Sequence, residues 1–283
     1  MRVTIGEFRF DDWVRSGAWQ GSRHAARRML PALARDVIQV ALDPDVSPSR
    51  LATIVQKDPV LAARVIRLAN SAGSAAAVEI AGIRDAIVRV GTRAVRNVVT
   101  AACLMSRVRD PQISPICGPG FVDHSIGAAY LALEIAQEAD TSADEAFACG
   151  LLHDLGKLLL ATLACEFRRM GGSPTREEVD AVVAEHHARC GGLLLRGWNL
   201  PASLCEAVAW HHAPDQAGAH QAAASVAYAA NRLAHRYGFG CEIVEWDPIA
   251  DPVASTLHLG EDWLDRIDAY IPGLFEIARQ TVG

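Results

Sequence analysis

Alanine fills 49 of 283 positions, and no segment alternates apolar and polar residues with the two-residue period of a half-buried strand. Short side chains without β-branching cost a helix little and let neighbouring helices approach closely. The chain is therefore constrained toward an all-α fold of tightly packed helices. Hydrophobic residues make up 51% of it, too many for a disordered segment. At roughly 150 residues per domain, the length admits one large domain or two modest ones.

Charge and cysteines narrow the class. A net charge of -6 and a pI near 5.9 disfavour binding nucleic acid over a broad surface, which needs a basic footprint. The seven cysteines form no C-x-x-C pair, are odd in number and mostly have apolar neighbours, as reduced core thiols do. Met1 to Trp19 lacks the cationic and apolar segments of a signal peptide. No apolar run approaches the ~18 to 20 residues that span a bilayer. These features predict a soluble, cytoplasmic protein with no membrane partner.

Punctuation marks the helices. Ser47-Pro48 and Asp58-Pro59 each place a capping residue before a proline. Helical spacing continues over 60–70, Ile83 to Val90 and Arg93 to Arg107. The stretch 110–120, with three prolines and two glycines, cannot continue a helix and predicts a boundary between two helical lobes. Beyond it, helices are expected over Phe121 to Ala139, from Ser142 through His153 to about Leu163, Thr175 to His187, Cys190 to Arg196, Pro201 to His212 and Ala217 to Tyr237. Ser142 and Glu145 have capping-box spacing. Four regions result: a lead-in over 1–21, a helical lobe over 22–110, a histidine-bearing lobe over 121–240 and a helical tail over 241–283. In the tail, Asp251-Pro252 and Ile271-Pro272-Gly273 read as helix boundaries.

Six of the ten histidines lie between residues 124 and 212. His153 and Asp154 sit inside the apolar run GLLHDLGKLLL, where an unpaired carboxylate would cost several kcal/mol. Asp154 therefore needs a cation, from a side chain or a metal. Imidazoles with one carboxylate suit Zn, Fe, Mn or Ni. A single helical histidine is ordinarily a core or surface residue, and His211-His212 before Ala213-Pro214 also reads as a solvated helix end. Several such residues on successive helices instead predict convergence on one site.

The order of these residues resembles the HD superfamily of metal-dependent phosphohydrolases and, within it, the HDOD (HD-related output domain) family of bacterial signalling. The resemblance begins at Leu30-Pro31 and takes in LATIVQKDPVLAARVIRLANSA from Leu51 and IRDAIVRVG from Ile83. It continues through FVDHS around His124, HDLGKL from His153, HHARCGGLLLRGWNLP from His186 and AWHHAP from Ala209, covering roughly 22–240. It implies a two-lobed HDOD-like architecture with an HD-type helical subdomain.

The resemblance also implies metal ligands at His124, His153, Asp154, His187, His211 and His212, with Asn231 where the superfamily has a final Asp. His186 is then a neighbour. An amide oxygen is neutral and a weaker ligand, and the stretch after His212 lacks the glycine-tyrosine-proline signature of cyclic-di-GMP hydrolysis. Both departures favour a regulatory module over a vigorous hydrolase. The implied cofactor is one or two divalent ions, and the implied partners are a signalling protein and a nucleotide or other phosphate ligand. If the chain is an enzyme, Asp154 and Lys157 are its catalytic candidates, acting on a nucleotide or cyclic dinucleotide. Lys157 reads equally as the salt-bridge partner of Asp154.

Arg89, Arg93 and Arg96 lie along one helical face, with Arg107 and Arg109 farther on. They read as a solvated or salt-bridged face before they read as an anion site. Trp198 and Trp210 are expected against the core.

Overall fold

A computed structural model describes residues 9–17, 40, 43, 45–71, 80–108, 113–117, 120–198, 200–240 and 243–282. Leu30-Pro31, Ala72, Arg109, Cys241 and five residues of the 110–120 boundary lie outside them, as do the side chains of Cys103 and Arg107. The described residues contain no strand. The helices are α1 (Phe10–Arg15), α2 (Pro48–Val55), α3 (Pro59–Ser71), α4 (Ile83–Val108), α5 (Ser114–Cys117), α6 (Phe121–Glu138) and α7 (Ala143–Leu152). They continue with α8 (Leu155–Arg169), α9 (Arg176–Gly197), α10 (Ala202–Ala209), α11 (Gln221–Arg236), α12 (Pro252–Thr256) and α13 (Glu261–Val282).

The predicted caps form. Ser47 Oγ accepts from Arg50 N, Asp58 Oδ1 from Leu61 N and Thr175 Oγ1 from Glu178 N. Ser142 caps α7, but Glu145 does not complete the box: its buried Oε1 has no hydrogen-bond partner. Gly91, at φ 82 and ψ 157, breaks the helical path inside α4 where the sequence separates two helices; only glycine adopts that conformation readily. Asn70 exchanges two hydrogen bonds with the backbone of Ile80, tying the end of α3 to the residues just before α4.

Several boundaries differ from expectation. The helix expected to run from Ser142 to Leu163 breaks at His153-Asp154. Neighbouring side chains on an unbroken helix point about 100° apart, and the turn brings both toward one point. The two helices expected over Thr175 to Arg196 are one, because Gly191 and Gly192 lie where α10 packs closest: a Cβ at Gly192 would stand 2.7 Å from Cys205 O. Pro272 lies inside α13, not at its boundary, and buried Ile267, Ile271 and Leu274 hold the helix through the lost hydrogen bond. Part of the lead-in is also structured. Phe10, Trp13 and Val14, at helical spacing, are buried on α1, where Phe10 and Trp13 each pack 5.5 Å from Phe167.

One contiguous apolar cluster runs through both helical regions and the tail. Helices α6, α7 and α11 pack together through buried alanines, including Ala128, Ala132, Ala148, Ala227 and Ala230. Leu155, Leu158, Leu159, Leu160 and Leu163 of α8 are all buried, each contributing about 1.5 to 3 kcal/mol. Helix α13 lies against α6 and α4, and Phe275 stacks on Phe239 at 4.1 Å. The tail thus closes the core. Residues 145–169 form the one described stretch long and apolar enough to cross a membrane, and 94% of its most apolar 18 residues are buried inside the molecule.

Candidate metal centre

Asp154 occupies the break between α7 and α8, 2% exposed, with a side chain that does not cap the following helix. It turns into a ring of histidines instead. Its Oδ2 lies 3.4 Å from His153 Nε2 and 3.8 Å from His124 Nε2. Its Oδ1 lies 3.3 Å from His187 Nε2 and 3.9 Å from His211 Nε2. His124 comes from the first turn of α6, His187 from the middle of α9, and His211 and His212 from the turn after α10. Asn231, on α11, brings its Oδ1 to 3.0 Å from His124 Nε2. Gly156 permits the assembly: a Cβ there would stand 1.8 Å from the His187 carbonyl, so only glycine lets α8 meet α9 this closely.

Backbone carbonyls orient three of the rings. His153 Nδ1 donates to Gly150 O at 2.7 Å, His187 Nδ1 to Val183 O at 2.8 Å and His211 Nδ1 to Val208 O at 2.8 Å. A carbonyl only accepts, so each Nδ1 carries a hydrogen, and in His187 and His211, where burial disfavours the charged form, Nε2 presents a lone pair to the centre. Metal-binding histidines are held in this way. Buried His211 Nε2 has no hydrogen-bond partner.

Electrostatics reinforce the pattern. Burial, then the neighbouring His153, pushes His124 down to about 3, and burial pushes His212 down to about 4. Burial also lowers His187 and takes His211 well below the usual histidine range. For Asp154, burial acts upward, but His153 and Lys157 outweigh it and hold the carboxyl well below its ordinary value. His124, His187, His211 and His212, which burial disfavours in their charged form, thus surround an ionised carboxylate.

Such a set fits a cation. His124, His153 and Asp154 form one group whose ligand atoms lie within 4.8 Å of one another, and His187, His211 and His212 form a second. Ligands about 2.1 Å from an ion at tetrahedral angles stand roughly 3.4 Å apart. The observed spacings of 3.0 to 3.9 Å bracket that value. Lys157 Nζ, 2.6 Å from Asp154 Oδ2, is the protein's own cation there.

All eight residues singled out in the sequence meet here. His211 is fully buried, so the reading of His211-His212 as a solvated helix end fails for it; His212 is exposed at the cleft. His186 faces away, bonded to Asp11 of α1 at 3.1 Å. A cleft of about 420 Å³ opens beside the centre, lined by Lys157, His187, His212 and Asn231 and also by Cys117, Asp180 and His235. Those last three escaped the sequence reading. His235 could have been found, since it lies one turn beyond Asn231 on the same face of α11, and its ring packs 4.7 Å from His124. Cys117, half-buried, packs against the core and also lines the cleft, and burial followed by the charge of Asp154 pushes its thiol up to about 12.

The arginines of α4 do not share one environment: Arg93 is exposed, whereas Arg96 is buried and donates to Asp43 O at 3.1 Å. Trp198 is buried as expected. Trp210 is half-buried, under the guanidinium of Arg189 at 4.1 Å and bonded to Glu206 at 3.1 Å, clasping α9 to α10 beside the histidine pair.

The chain is similar to known proteins over most of its length. An uncharacterized protein of Treponema pallidum (strain Nichols) is 23% identical over 197 residues, 65% of this chain. This chain spans only 37% of that relative's length. Two solved structures share the fold. One, from Marinobacter aquaeolei VT8, carries the name of a signal transduction protein and aligns at 20% identity with a TM-score of 0.69, over 98% of this chain and 68% of its own. The other, from Shewanella amazonensis SB2B, carries the name of a metal-dependent phosphohydrolase and aligns at 19% identity with a TM-score of 0.58, over 96% and 98%. Residues 28–214 match the HDOD domain; the match stops short of Asn231 but spans more than half of the sequence, and the chain belongs to the HDOD family.

Proposed function

We propose that this chain is a signal-transduction module whose histidine cleft binds a divalent transition metal, Fe, Mn, Ni or Zn, and reports on a phosphate-bearing ligand to a protein partner. The observation that carries the metal reading is the convergence of the unprotonated His187 and His211 Nε2 nitrogens on one buried carboxylate. These acceptors lack enough protein donors to satisfy them, and a metal ion would supply the missing positive charge. The half-exposed ammonium of Lys157, at the wall of the cleft, is placed to meet a phosphate. Asn231 supports a regulatory role, since it removes a carboxylate from the ligand set. The free thiols of Cys117, Cys149, Cys190 and Cys205 fit a reducing, cytoplasmic setting.

Metal analysis of protein purified without added ions, and again after soaking in each ion, tests this reading. Bound metal that disappears in Asp154→Ala is the expected result. A folded wild type that neither carries nor gains metal would overturn it.

One observation favours a second reading, a metal-dependent phosphohydrolase acting on a nucleotide or cyclic dinucleotide. The cleft opens beside the centre, so a phosphate could reach both Lys157 and a metal-activated water. Phosphodiesterase turnover with Mn, Fe or Ni, abolished in His153→Ala and Asp154→Ala, would move the assignment to an enzyme.

A further inference from the structure

The two sides of Asp154 carry similar ligands but differ in what those ligands already face. On the Oδ2 side the protein supplies its own donors. Lys157 Nζ stands 2.6 Å from Oδ2. His124 Nε2 stands 3.0 Å from Asn231 Oδ1 and 3.2 Å from His153 Nε2. The amide oxygen only accepts, so His124 Nε2 carries a hydrogen toward it. A cation entering here would have to displace an ammonium from the carboxylate and move that hydrogen to the other side of the His124 ring.

The Oδ1 side is built differently. His187 and His211 give their Nδ1 hydrogens to Val183 and Val208, so neither Nε2 donates to Oδ1, although they lie 3.3 and 3.9 Å away. His211 is fully buried, and its Nε2 has no partner. His212 Nε2, 3.0 Å from His187 Nε2, is the one member of this group free to turn donor or acceptor, and it is exposed at the cleft. Three imidazoles and a carboxylate oxygen thus wait on this side with at most one hydrogen among them. Only the hydrogen that His212, at the open cleft, shares with His187 has to move for an ion to enter, and no charged group is displaced.

We propose that the Oδ1 side, formed by His187, His211, His212 and Asp154, is the resident metal site and holds a single nitrogen-preferring divalent ion, and that Lys157 is a built-in counter-cation that keeps the Oδ2 side shut. This rests on the metal-binding reading above and deepens it. Three imidazoles select Zn, Fe or Ni over Mg or Ca. The opposite side offers two imidazoles, an amide oxygen and a carboxylate oxygen already neutralised, so a second ion binds there only against the charge of Lys157. Loss of that charge opens it.

The test is a titration of chelator-stripped full-length chain with Zn²⁺ by calorimetry and with Co²⁺ by visible absorption, with ions per chain counted after desalting and the fold checked by circular dichroism. Wild type is expected to retain one ion per chain. Lys157→Met, which keeps the side-chain bulk and removes the charge, is expected to retain two. His124→Ala is expected to keep the single ion. His211→Ala is expected to lose it, and His212→Ala, at an exposed position tolerant of change, to weaken it about tenfold or more. Two equivalent ions in wild type would overturn the inference and leave the metal reading standing. So would an ion lost in His124→Ala but kept in folded His211→Ala and His212→Ala. A single ion in Lys157→Met would overturn the role of Lys157. A folded wild type that takes up no metal would overturn both the inference and the reading beneath it.

Discussion

Helices α4 and α8 are both rich in apolar residues, yet they place their charged groups under opposite rules. From Leu151 to Cys165, spanning the end of α7 and most of α8, every residue is buried except Lys157. In α4 only one face is buried, and Arg84, Asp85 and Arg93 stand in solvent beside Val88, which is 83% exposed. An ionisable group in the first setting must find a partner, whereas water satisfies one in the second. The same sequence observation, charged residues at helical spacing, therefore carries a functional inference at His153-Asp154 and almost none at Arg93.

The strongest way to break this comparison is to make matched truncations on the two helices. Leu159 is fully buried in α8, and Leu159→Ala is expected to cost about 2 to 5 kcal/mol by lost transfer energy and a residual cavity. Val88→Ala on α4 is expected to stay within about 0.5 kcal/mol. Urea denaturation of both variants measures the difference. Equal costs would mean that α4 is covered by something outside this chain.

Acid should separate the regions next. Unfolded histidine takes up a proton near pH 6.5, whereas buried His124 does not until about 3. Between those values the unfolded state binds more protons, so stability is present above pH 6.5 and is lost as pH falls through the window. Metal-free protein should thus lose stability on the order of a few kcal/mol between pH 7 and 4.5, before the carboxylates titrate. Thermal melts across that range check it. His124→Gln, which removes the titrating ring, should flatten the slope; an unchanged slope would assign the acid sensitivity to another group.

Much of the centre was legible because its demands are local. An Asp inside GLLHDLGKLLL announces a missing cation whatever surrounds it, whereas His124, His187, His211, His212 and Asn231 followed from the family resemblance. What the sequence hid was set by contacts between distant segments. The break at His153-Asp154 follows from aiming two side chains at one point, and the unbroken α9 from the approach of α10 to Gly192. Proline normally ends a helix, yet Pro272 sits within one because the packing of α13 outweighs one lost bond. Cys117 reads as a core thiol and does pack against the core, but its apolar neighbours in sequence say nothing about the cleft it also lines. The inequality of the two sides of Asp154 was hidden for the same reason, since it depends on which carbonyl each imidazole reaches.

The finest test lies within α4 itself, where Arg93 and Arg96 share a helix and a residue type but not an environment. Arg96 is 5% exposed, and its Nη1 donates to the carbonyl of Asp43, tying α4 to the segment before α2. Arg96→Met keeps much of the side-chain bulk but removes the charge and the donor, leaving that carbonyl to find another partner. The expected cost is about 1 to 3 kcal/mol, the range for a buried group deprived of its hydrogen bond. Arg93→Met, on the solvent side, should change stability by less than about 0.5 kcal/mol. The two melting curves decide whether burial or helical position governs an arginine on this face, and equal shifts would show that spacing alone had been the better guide.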